Sequence, residues 1–531
     1  MAKTKTVKTA KTAVKAALPK KAKTKSAAKP KKKLAAASGL PGVRVRMFRQ
    51  GLGDCFLLTF HVGGDERHML IDCGSLGSKL DKPVKPPDIA KVILQTIGPQ
   101  GRLHVVVATH EHQDHLSGFN NQEMQKLQGK VDHVWLAWTE DPTDPDAQKF
   151  SRNKQDLGEA LALVAQAAPD SEVALQVKDL LGFAGDTDAL DGTVLGAAKF
   201  AETVNDAMEF VRTGLQGQVE YHDPGDLIEP DWLPGFRFYV LGPPRNEDLI
   251  KDLGSHGSSE LYGISAGLRT AALRHLAAAP ASPNLSTEER LECEVELPFD
   301  SRFNLQEQPQ PIEIGDVYPA YASAGNDWRA MNNDWLSLAS DLALQLDSMT
   351  NNSSLAFAIE RIADGKVLLF PADAQQGHWL SWHLPEMTWT VPTAGGGSKK
   401  VTAADLLSRA VFYKSGHHGS HNATARGKGL ELMEQEAELV TFIPVDRAIA
   451  LGRNPKDSWQ MPARPLYRRL LEKCQGRVVR SDIGWAVEAA GAVEAAFKGL
   501  ATKSEWKAWG DSQAHATHVT IGDQFVDYLL E

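Results

Sequence analysis

Three histidines and one aspartate stand close together directly after an apolar run, Leu103 to Ala108. They are His110, His112, Asp114 and His115. Burying so many polar groups together is costly unless a partner compensates them, and a divalent metal does so. Imidazole and carboxylate ligands suit zinc, manganese and iron. Positions 110 and 112 project to one side of an extended loop while 114 and 115 turn to another, which favours two neighbouring metals. The alternative, a solvated histidine-rich loop, is disfavoured because a strand leads directly into the cluster.

Two further segments follow the same plan, in which an apolar strand ends in residues that can bind a metal. Leu368–Phe370 leads to Asp373, and Val411–Tyr413 leads to the pair His417 and His418. A sheet would hold such ligands rigidly while the loops leave the site open. The three segments together therefore predict one shared metal centre.

These segments resemble the metallo-β-lactamase superfamily, because Thr109–His115 matches its HxHxDH signature at every required position. The nearer resemblance is to the hydrolase domain of DNA-uptake competence proteins and their soluble relatives. It rests on Gly51-Leu-Gly-Asp-Cys55, Leu70-Ile-Asp-Cys-Gly74, Asn351-Asn-Ser-Ser-Leu355, Asp373 and Lys414-Ser-Gly-His-His-Gly-Ser420. The resemblance implies an α/β fold, an αββα sandwich with a binuclear metal site at the sheet edge, here with a large helical or irregular insertion.

The resemblance also implies a role for each residue. The first metal would be held by His110 and His112, the second by Asp114, His115 and His418, and Asp373 would bridge the two. The competing choice for the last ligand is His417, since a sequence cannot say which member of a histidine pair faces the metals. The family's acid behind the metal loop corresponds to Asp72, which would accept a hydrogen bond from a ligand histidine or, alternatively, cap a turn.

The sequence departs from the wider superfamily at two points. Many members supply a third histidine to the first metal, but the comparable segment Val240–Pro244 has none, and His222 and His256 only flank it. The first metal is therefore expected to be bound more weakly, or completed by water and substrate. Residue Ala372 replaces the glycine that often precedes the bridging aspartate.

The predicted function is that of a metal-dependent hydrolase that uses a metal-bound hydroxide, acting on phosphodiesters in the manner of a nuclease or phosphodiesterase. Its cofactors would be two divalent ions, with zinc preferred and manganese the alternative, which lower the pKa of bound water to about 7. The candidate catalytic residues are Asp114, which would orient the water, and Lys414 and His417, which would contact an anionic substrate or protonate its leaving group.

Two other functions remain open at this point. The first is hydrolysis of a small ester, lactone or thioester, and the second is nucleic-acid binding by a protein whose metal site is vestigial. Outside the first 34 residues the chain has 45 basic and 67 acidic residues. This acidic charge weakly favours the ester substrate, because it repels polyanions.

The N-terminal segment is strongly basic. Its 13 lysines lie between residues 3 and 33, with no acidic residue among them. Such a composition cannot build a core and predicts a disordered tail over residues 1–42. The tail would contact nucleic acid by releasing counterions, or it would act as a solubilising tail or fold onto the acidic body.

The remaining chain is expected to form one hydrolase domain over residues 43–490, with insertions at about 140–235 and 245–350, and a C-terminal extension, 491–531, that packs on it. Two strand-rich halves suggest two facing sheets. No apolar run approaches the 18 residues of a membrane span. The four cysteines lack CxxC pairing, and the chain is expected to be cytoplasmic, with no membrane partner.

Overall fold

The computed structural model describes residues 40–80, 82–167, 202–251, 334–393, 395–452, 459–487 and 493–531, with the single positions 174, 177 and 180. The described residues belong to one structural unit that begins at Leu40. The predicted basic tail lies almost entirely outside them, as do residues 252–333 of the second predicted insertion, including His256.

Strands and helices are interspersed along the described residues. The strands are β1 Gly42–Phe48, β2 Phe56–Val62, β3 Asp65–Ile71, β4 Leu103–Val107, β5 Val131–Ala137, β6 Gln218–His222, β7 Leu227–Ile228, β8 Phe236–Gly242, β9 Ala356–Arg361, β10 Val367–Phe370, β11 Thr388–Pro392, β12 Ser398–Thr402, β13 Ala410–Lys414, β14 Val440–Ile443, β15 Val478–Arg480, β16 Gly484–Trp485, β17 Val519–Ile521 and β18 Phe525–Leu530. The helices are α1 Pro86–Ile97, α2 Gln113–Leu116, α3 Pro145–Ala167, α4 Glu202–Glu209, α5 Glu247–Ile250, α6 Asp334–Asn352, α7 Gln376–Ser381, α8 Ala403–Ser408, α9 Arg447–Leu451, α10 Arg464–Lys473 and α11 Lys503–Ala514.

Two large mixed sheets of eight strands each confirm the predicted α/β class. The first has the order β17-β18-β1-β2-β3-β4-β5-β6, and the second has the order β16-β15-β14-β13-β10-β9-β8-β7. In the first sheet β3, β4, β5 and β6 run parallel to one another. In the second, β10, β13, β14 and β15 do so. Parallel neighbours end at the same edge of a sheet, so residues that follow them are brought together.

Apolar side chains from both sheets share one buried cluster, which includes Phe56 and Val107 of the first sheet and Phe357, Phe370 and Phe412 of the second. The rings of Phe56 and Phe370 meet edge to face, with centroids 6.0 Å apart. Separate clusters lie on the other faces, one with helices α1 and α4 against the first sheet, and one with α7, α8, α10 and α11 against the second. Burial on both faces explains why the central strands are continuously apolar.

Helix α1 illustrates how local sequence sets these elements. Prolines occupy its first turn, where their missing N–H costs nothing. Its buried residues are Ile89, Ala90, Ile93 and Ile97, which recur every three or four positions and form one apolar stripe. The helix ends at Gly98, whose φ of 72° suits glycine.

The C-terminal segment forms part of the first sheet and of the core between the sheets, whereas the sequence predicted an extension packed on the domain. Strand β18 pairs antiparallel with β1, from Val43 opposite Leu530 to Phe48 opposite Phe525. The side chains of Val526, Tyr528 and Leu530 join the cluster between the sheets. The segment 525–530 therefore completes the first sheet and separates β1 from an exposed edge.

A membrane-spanning helix is absent from the described ranges, since none of their helices combines the required length and apolar character.

Candidate metal centre

All three predicted metal-ligand segments meet where parallel strands of the two sheets end. Strand β4 leads into the loop that carries His110 to His115, and its neighbour β3 leads to Asp72. In the second sheet, β10 leads to Asp373 and its neighbour β13 leads to the pair 417–418. The site thus draws residues from both sheets, at the strand ends where α/β folds place ligands.

Two glycines allow the loop His110–His115, called the metal loop below, to pack directly on the neighbouring turns. A side chain at Gly74 would meet the backbone of Asp114 at 2.2 Å, and one at Gly53 would meet the same residue's carbonyl oxygen at 2.6 Å. Backbone hydrogen bonds then fix the loop, from Asp54 N to Asp114 O at 2.9 Å and from Cys73 N to His115 O at 2.8 Å. The motifs around residues 51–55 and 70–74 therefore serve to seat the metal loop.

Asp114, His115, Asp373 and His418 form a buried group whose ligand atoms lie within 4.8 Å of one another. Nε2 of His418 lies 2.7 Å from Oδ2 of Asp114, and Nε2 of His115 lies 3.1 Å from Oδ2 of Asp373. All four residues are fully buried. Two imidazoles and two carboxylates that converge in this way could hold a metal ion.

Three polar atoms of this group are buried and make no hydrogen bond of good geometry among the described residues, although two of them, His115 Nε2 and Asp373 Oδ2, face each other at 3.1 Å. The three atoms are Asp114 Oδ1, His115 Nε2 and Asp373 Oδ2. A buried polar atom without a partner costs about 1–3 kcal/mol, more if the group is charged. A cation bound between them would satisfy all three, so the residues present fit a divalent metal.

Outer partners determine which ring nitrogen faces the centre. Nδ1 of His115 donates to Oδ2 of Asp72 at 2.8 Å, and Nδ1 of His418 donates to the carbonyl oxygen of Pro444 at 2.7 Å. Both rings therefore turn Nε2 toward the carboxylates of the group. Asp72 takes the place that the resemblance implied for it, behind a ligand histidine.

At the first predicted metal position the structure places two imidazoles, those of His110 and His112, next to each other. Nε2 of His110 lies 3.1 Å from Nδ1 of His112. The hydroxyl of Thr109 donates to Asp72 at 2.7 Å and so accepts from Nδ1 of His110 at 3.1 Å, which leaves Nε2 of His110 to face His112. Among the described residues no third histidine or carboxylate joins this pair closely enough to form a ligand group.

The centre concentrates negative charge. Burial alone would raise the pKa of Asp114, but His115 and His418 beside it lower that pKa to about 2. Burial would lower the pKa of His115, yet the surrounding carboxylates, Asp373 foremost, raise it well above its ordinary value. The pKa of His418 is raised in the same way against the effect of its burial, mainly by the hydrogen bond to Asp114. Protons held here are those that a metal ion would displace.

The structure buries Lys414, which the sequence offered as a substrate contact. Its ammonium donates to Asp373 Oδ1 at 2.9 Å and to the carbonyl oxygen of Ala372 at 2.8 Å, and it lies 2.5 Å from Oδ2 of Asp54. The side chain is only 2% exposed. Burial would raise the pKa of Asp373, but Lys414 and His115 hold it well below its ordinary value. In this position Lys414 keeps Asp373 ionised.

The two histidines of the pair take different positions. His418 belongs to the ligand group, whereas His417 is 6% exposed and accepts or donates a hydrogen bond with Ser420 Oγ at 3.1 Å. Burial lowers the pKa of His417 to about 4. Its backbone N–H donates to Oδ1 of Asp373 at 3.1 Å. His417 thus lies beside Asp373 but outside the ligand group, and it is itself buried.

Strained backbone accompanies the ligands. Asp72, Ala372, His417 and His418 all have left-handed φ values, between 39° and 54°. Such conformations cost non-glycine residues about 1–3 kcal/mol each and cluster at functional sites. At Ala372 the φ of 50° is a conformation that glycine adopts more readily than alanine.

Two residues that contact the centre, Asp54 and Ser354, were not predicted from the sequence to belong to it. Asp54 appeared only as part of a turn motif, yet it pairs with Lys414. Ser354 appeared only within the 351–355 motif. Its Oγ lies 3.2 Å from Nδ1 of His110 and accepts from Asp373 N at 3.3 Å, which links the two halves of the centre. Neither contact has a local sequence signal, because the partners lie far apart in the chain.

The segment expected to provide a third histidine instead packs against His378. A side chain at Gly242 would lie 1.7 Å from Nε2 of His378. Neither nitrogen of this buried ring has a hydrogen-bond partner in the described ranges. Burial alone lowers the pKa of His378 to about 3. The ligand groups found in the described residues do not include it.

His378 should make the protein sensitive to acid. The unfolded chain takes up a proton near pH 6.5 but the folded protein only near pH 3, so stability falls as the pH decreases through this window. We expect His378→Leu to gain about 2 kcal/mol relative to wild type between pH 7.5 and pH 5. Urea unfolding at both pH values measures this. The exposed His515→Leu serves as control, and an equal change in both variants would contradict the expectation.

Comparisons with protein-family models and with curated proteins gave no match to this sequence.

Proposed function

We propose that this protein is a metal-dependent hydrolase with a metallo-β-lactamase-type αββα sandwich, most closely of the competence-protein branch, and that it cleaves phosphodiesters. The observation that carries the proposal is the buried group Asp114, His115, Asp373 and His418, three of whose polar atoms make no hydrogen bond of good geometry. It lies beside the His110–His112 pair. The side chains shared between the two sheets and the helices on their outer faces support the sandwich.

Each candidate ligand has a separate role in this proposal. The pair His110 and His112 would hold one divalent ion, while Asp114, His115 and His418 would hold a second, and Asp373 would lie between them. Zinc suits this donor set, with manganese as the alternative. When bound, two such ions lower the pKa of water and polarise the bond under attack.

The protein's own groups prepare this site. Asp72 and Pro444 hold two ligand rings by their outer nitrogens, and Lys414 keeps Asp373 negatively charged. His417, which lies beside Asp373 but outside the ligand group, would contact the substrate or transfer a proton to the leaving group. Because these groups are fixed before substrate binds, little reorganisation is needed during reaction.

An ester, lactone or thioester substrate is the second candidate, and the burial of Lys414 favours it. Its ammonium is bonded to Asp54, Asp373 and Ala372, so it offers no free positive charge to a phosphate. Lys414 would then not neutralise the charge of a phosphodiester.

A substrate panel tests the proposal. Chelator-treated protein is reloaded with Zn²⁺ or Mn²⁺ and assayed on bis-p-nitrophenyl phosphate, single-stranded DNA and p-nitrophenyl acetate. We expect turnover of a diester that disappears with chelator and returns with metal. Turnover of the ester alone would support the second candidate. Binding of DNA without turnover of any substrate would indicate a vestigial site and overturn the proposal.

A further inference from the structure

Helix α6 brings a further carboxylate, Asp347, against the metal loop. Its Oδ1 atom lies 4.0 Å from Nε2 of His112. Its Oδ2 atom accepts a hydrogen bond of 3.0 Å from the side-chain amide of Asn351, one turn later on the helix. Oδ1 is buried and has no hydrogen-bond partner within the part of the chain that the structure describes. One carboxylate oxygen is therefore anchored, while the other points toward the His112 ring.

The orientation of His112 makes Nε2 its outer nitrogen. Nδ1 is the atom that meets Nε2 of His110, at 3.1 Å. In His115 and His418 the outer nitrogen rests on an acceptor, a carboxylate oxygen in one case and a carbonyl oxygen in the other. Asp347 lies on the corresponding side of His112, but its Oδ1 is 4.0 Å from Nε2 and does not hydrogen-bond to it in this structure.

We infer that Asp347 is a positioning residue, which accepts a hydrogen bond from Nε2 of His112 and thereby directs Nδ1 to the first metal. The inference rests on the proposed metal-dependent function. A shift of about 1 Å brings the 4.0 Å separation into hydrogen-bonding range. A buried carboxylate oxygen gains from such a donor, and an outer hydrogen bond fixes both the tautomer and the orientation of a ligand ring.

The first site should depend strongly on this contact. Within the described ranges, His110 and His112 have no third ligand of the kind that completes the second group. With only these two histidines and the shared Asp373 as protein ligands, the affinity of the first site depends on how well both rings are aligned. The His110 ring is held by Thr109 and Ser354, so Asp347 supplies the corresponding restraint on His112.

The experiment measures metal binding without reference to turnover. Chelator-treated full-length protein is titrated with Zn²⁺ by calorimetry and with Co²⁺ by visible absorption. The first site is identified as the binding step that His110→Ala removes. We expect Asp347→Ala to weaken that step about 10- to 100-fold and to leave the other step unchanged. Asp341→Ala, on the exposed side of the same helix, should bind both metals like wild type.

Two further variants keep the result decisive. Asp347→Ser is too short to reach His112 and should reproduce the loss if Asp347→Ala does not fold, which circular dichroism reports. Asp347→Asn retains an acceptor oxygen and should keep most of the wild-type affinity. If Asp347→Ala and Asp347→Ser both bind two metals as tightly as wild type, Asp347 does not position His112 and the proposed function is unaffected. If the wild-type protein binds no metal, the proposed function itself is wrong, and the inference with it.

Discussion

Replacing Asp114 with alanine is expected to lower the rate of diester hydrolysis by about a thousandfold or more. Asp114 lies at the middle of the ligand group, with Oδ2 2.7 Å from Nε2 of His418 and 3.8 Å from Nε2 of His115. Removal of this carboxylate would take away a proposed ligand of the second metal. Bound metal ions contribute several kcal/mol to transition-state stabilisation, and each 1.4 kcal/mol corresponds to about a tenfold change in rate.

The measurement is kcat/KM on bis-p-nitrophenyl phosphate, with metal content determined on the same samples. Asp511→Ala removes a carboxylate that is 62% exposed on helix α11 and serves as the matched control. We expect the control to keep full activity and both metals. A rate for Asp114→Ala within tenfold of wild type would show that hydrolysis does not use this centre.

Replacing Lys414 with methionine is expected to destabilise the chelator-treated protein by about 3–5 kcal/mol, the usual cost of removing one partner of a buried ion pair. The ammonium is 2% exposed and is bonded to Asp54 and Asp373, which are themselves nearly inaccessible to solvent. Without it, two buried carboxylates lose their compensating charge, and methionine fills similar space without supplying a donor.

Urea unfolding in the presence of chelator measures this free energy apart from any loss of metal. The control is Lys366→Met, which breaks the ion pair with Glu438 at a lysine that is 33% exposed. Surface ion pairs contribute about 0–1 kcal/mol, so the control should change little. Equal costs for the two variants would mean that Lys414 is not held by its buried partners.

For Lys414 the sequence predicted a place near the candidate metal centre, but it did not predict the contacts of the ammonium group. A lysine beside two histidines in a loop motif is compatible with a substrate contact. The structure turns its ammonium inward, toward Asp54 at the end of a turn about 360 residues earlier in the chain. Such a pairing depends on how two sheets meet, and no local pattern encodes it.

The choice between His417 and His418 likewise depends on tertiary contacts that no local sequence pattern encodes. Both residues follow β13 at once, and either could point toward the metals. The backbone is left-handed at both positions, with φ of 39° and 52°; His418 contacts Asp114, whereas His417 lies outside the ligand group. Asp347 was even less predictable from the sequence, because it lies in a segment that was predicted to be an insertion. Helix α6 nevertheless places it 4.0 Å from His112 in the metal loop.

By itself, the sequence determined the types of ligand, their attachment to the ends of apolar strands and the α/β class. These are local properties, since strand periodicity and clustered polar residues can be recognised within a few positions. Only the tertiary structure decided which atoms converge, which histidine of the pair joins the group, and that the C-terminal strand β18 belongs to the first sheet. The physical reason is that these contacts join residues hundreds of positions apart, and the burial that makes them strong exists only after both sheets have packed together.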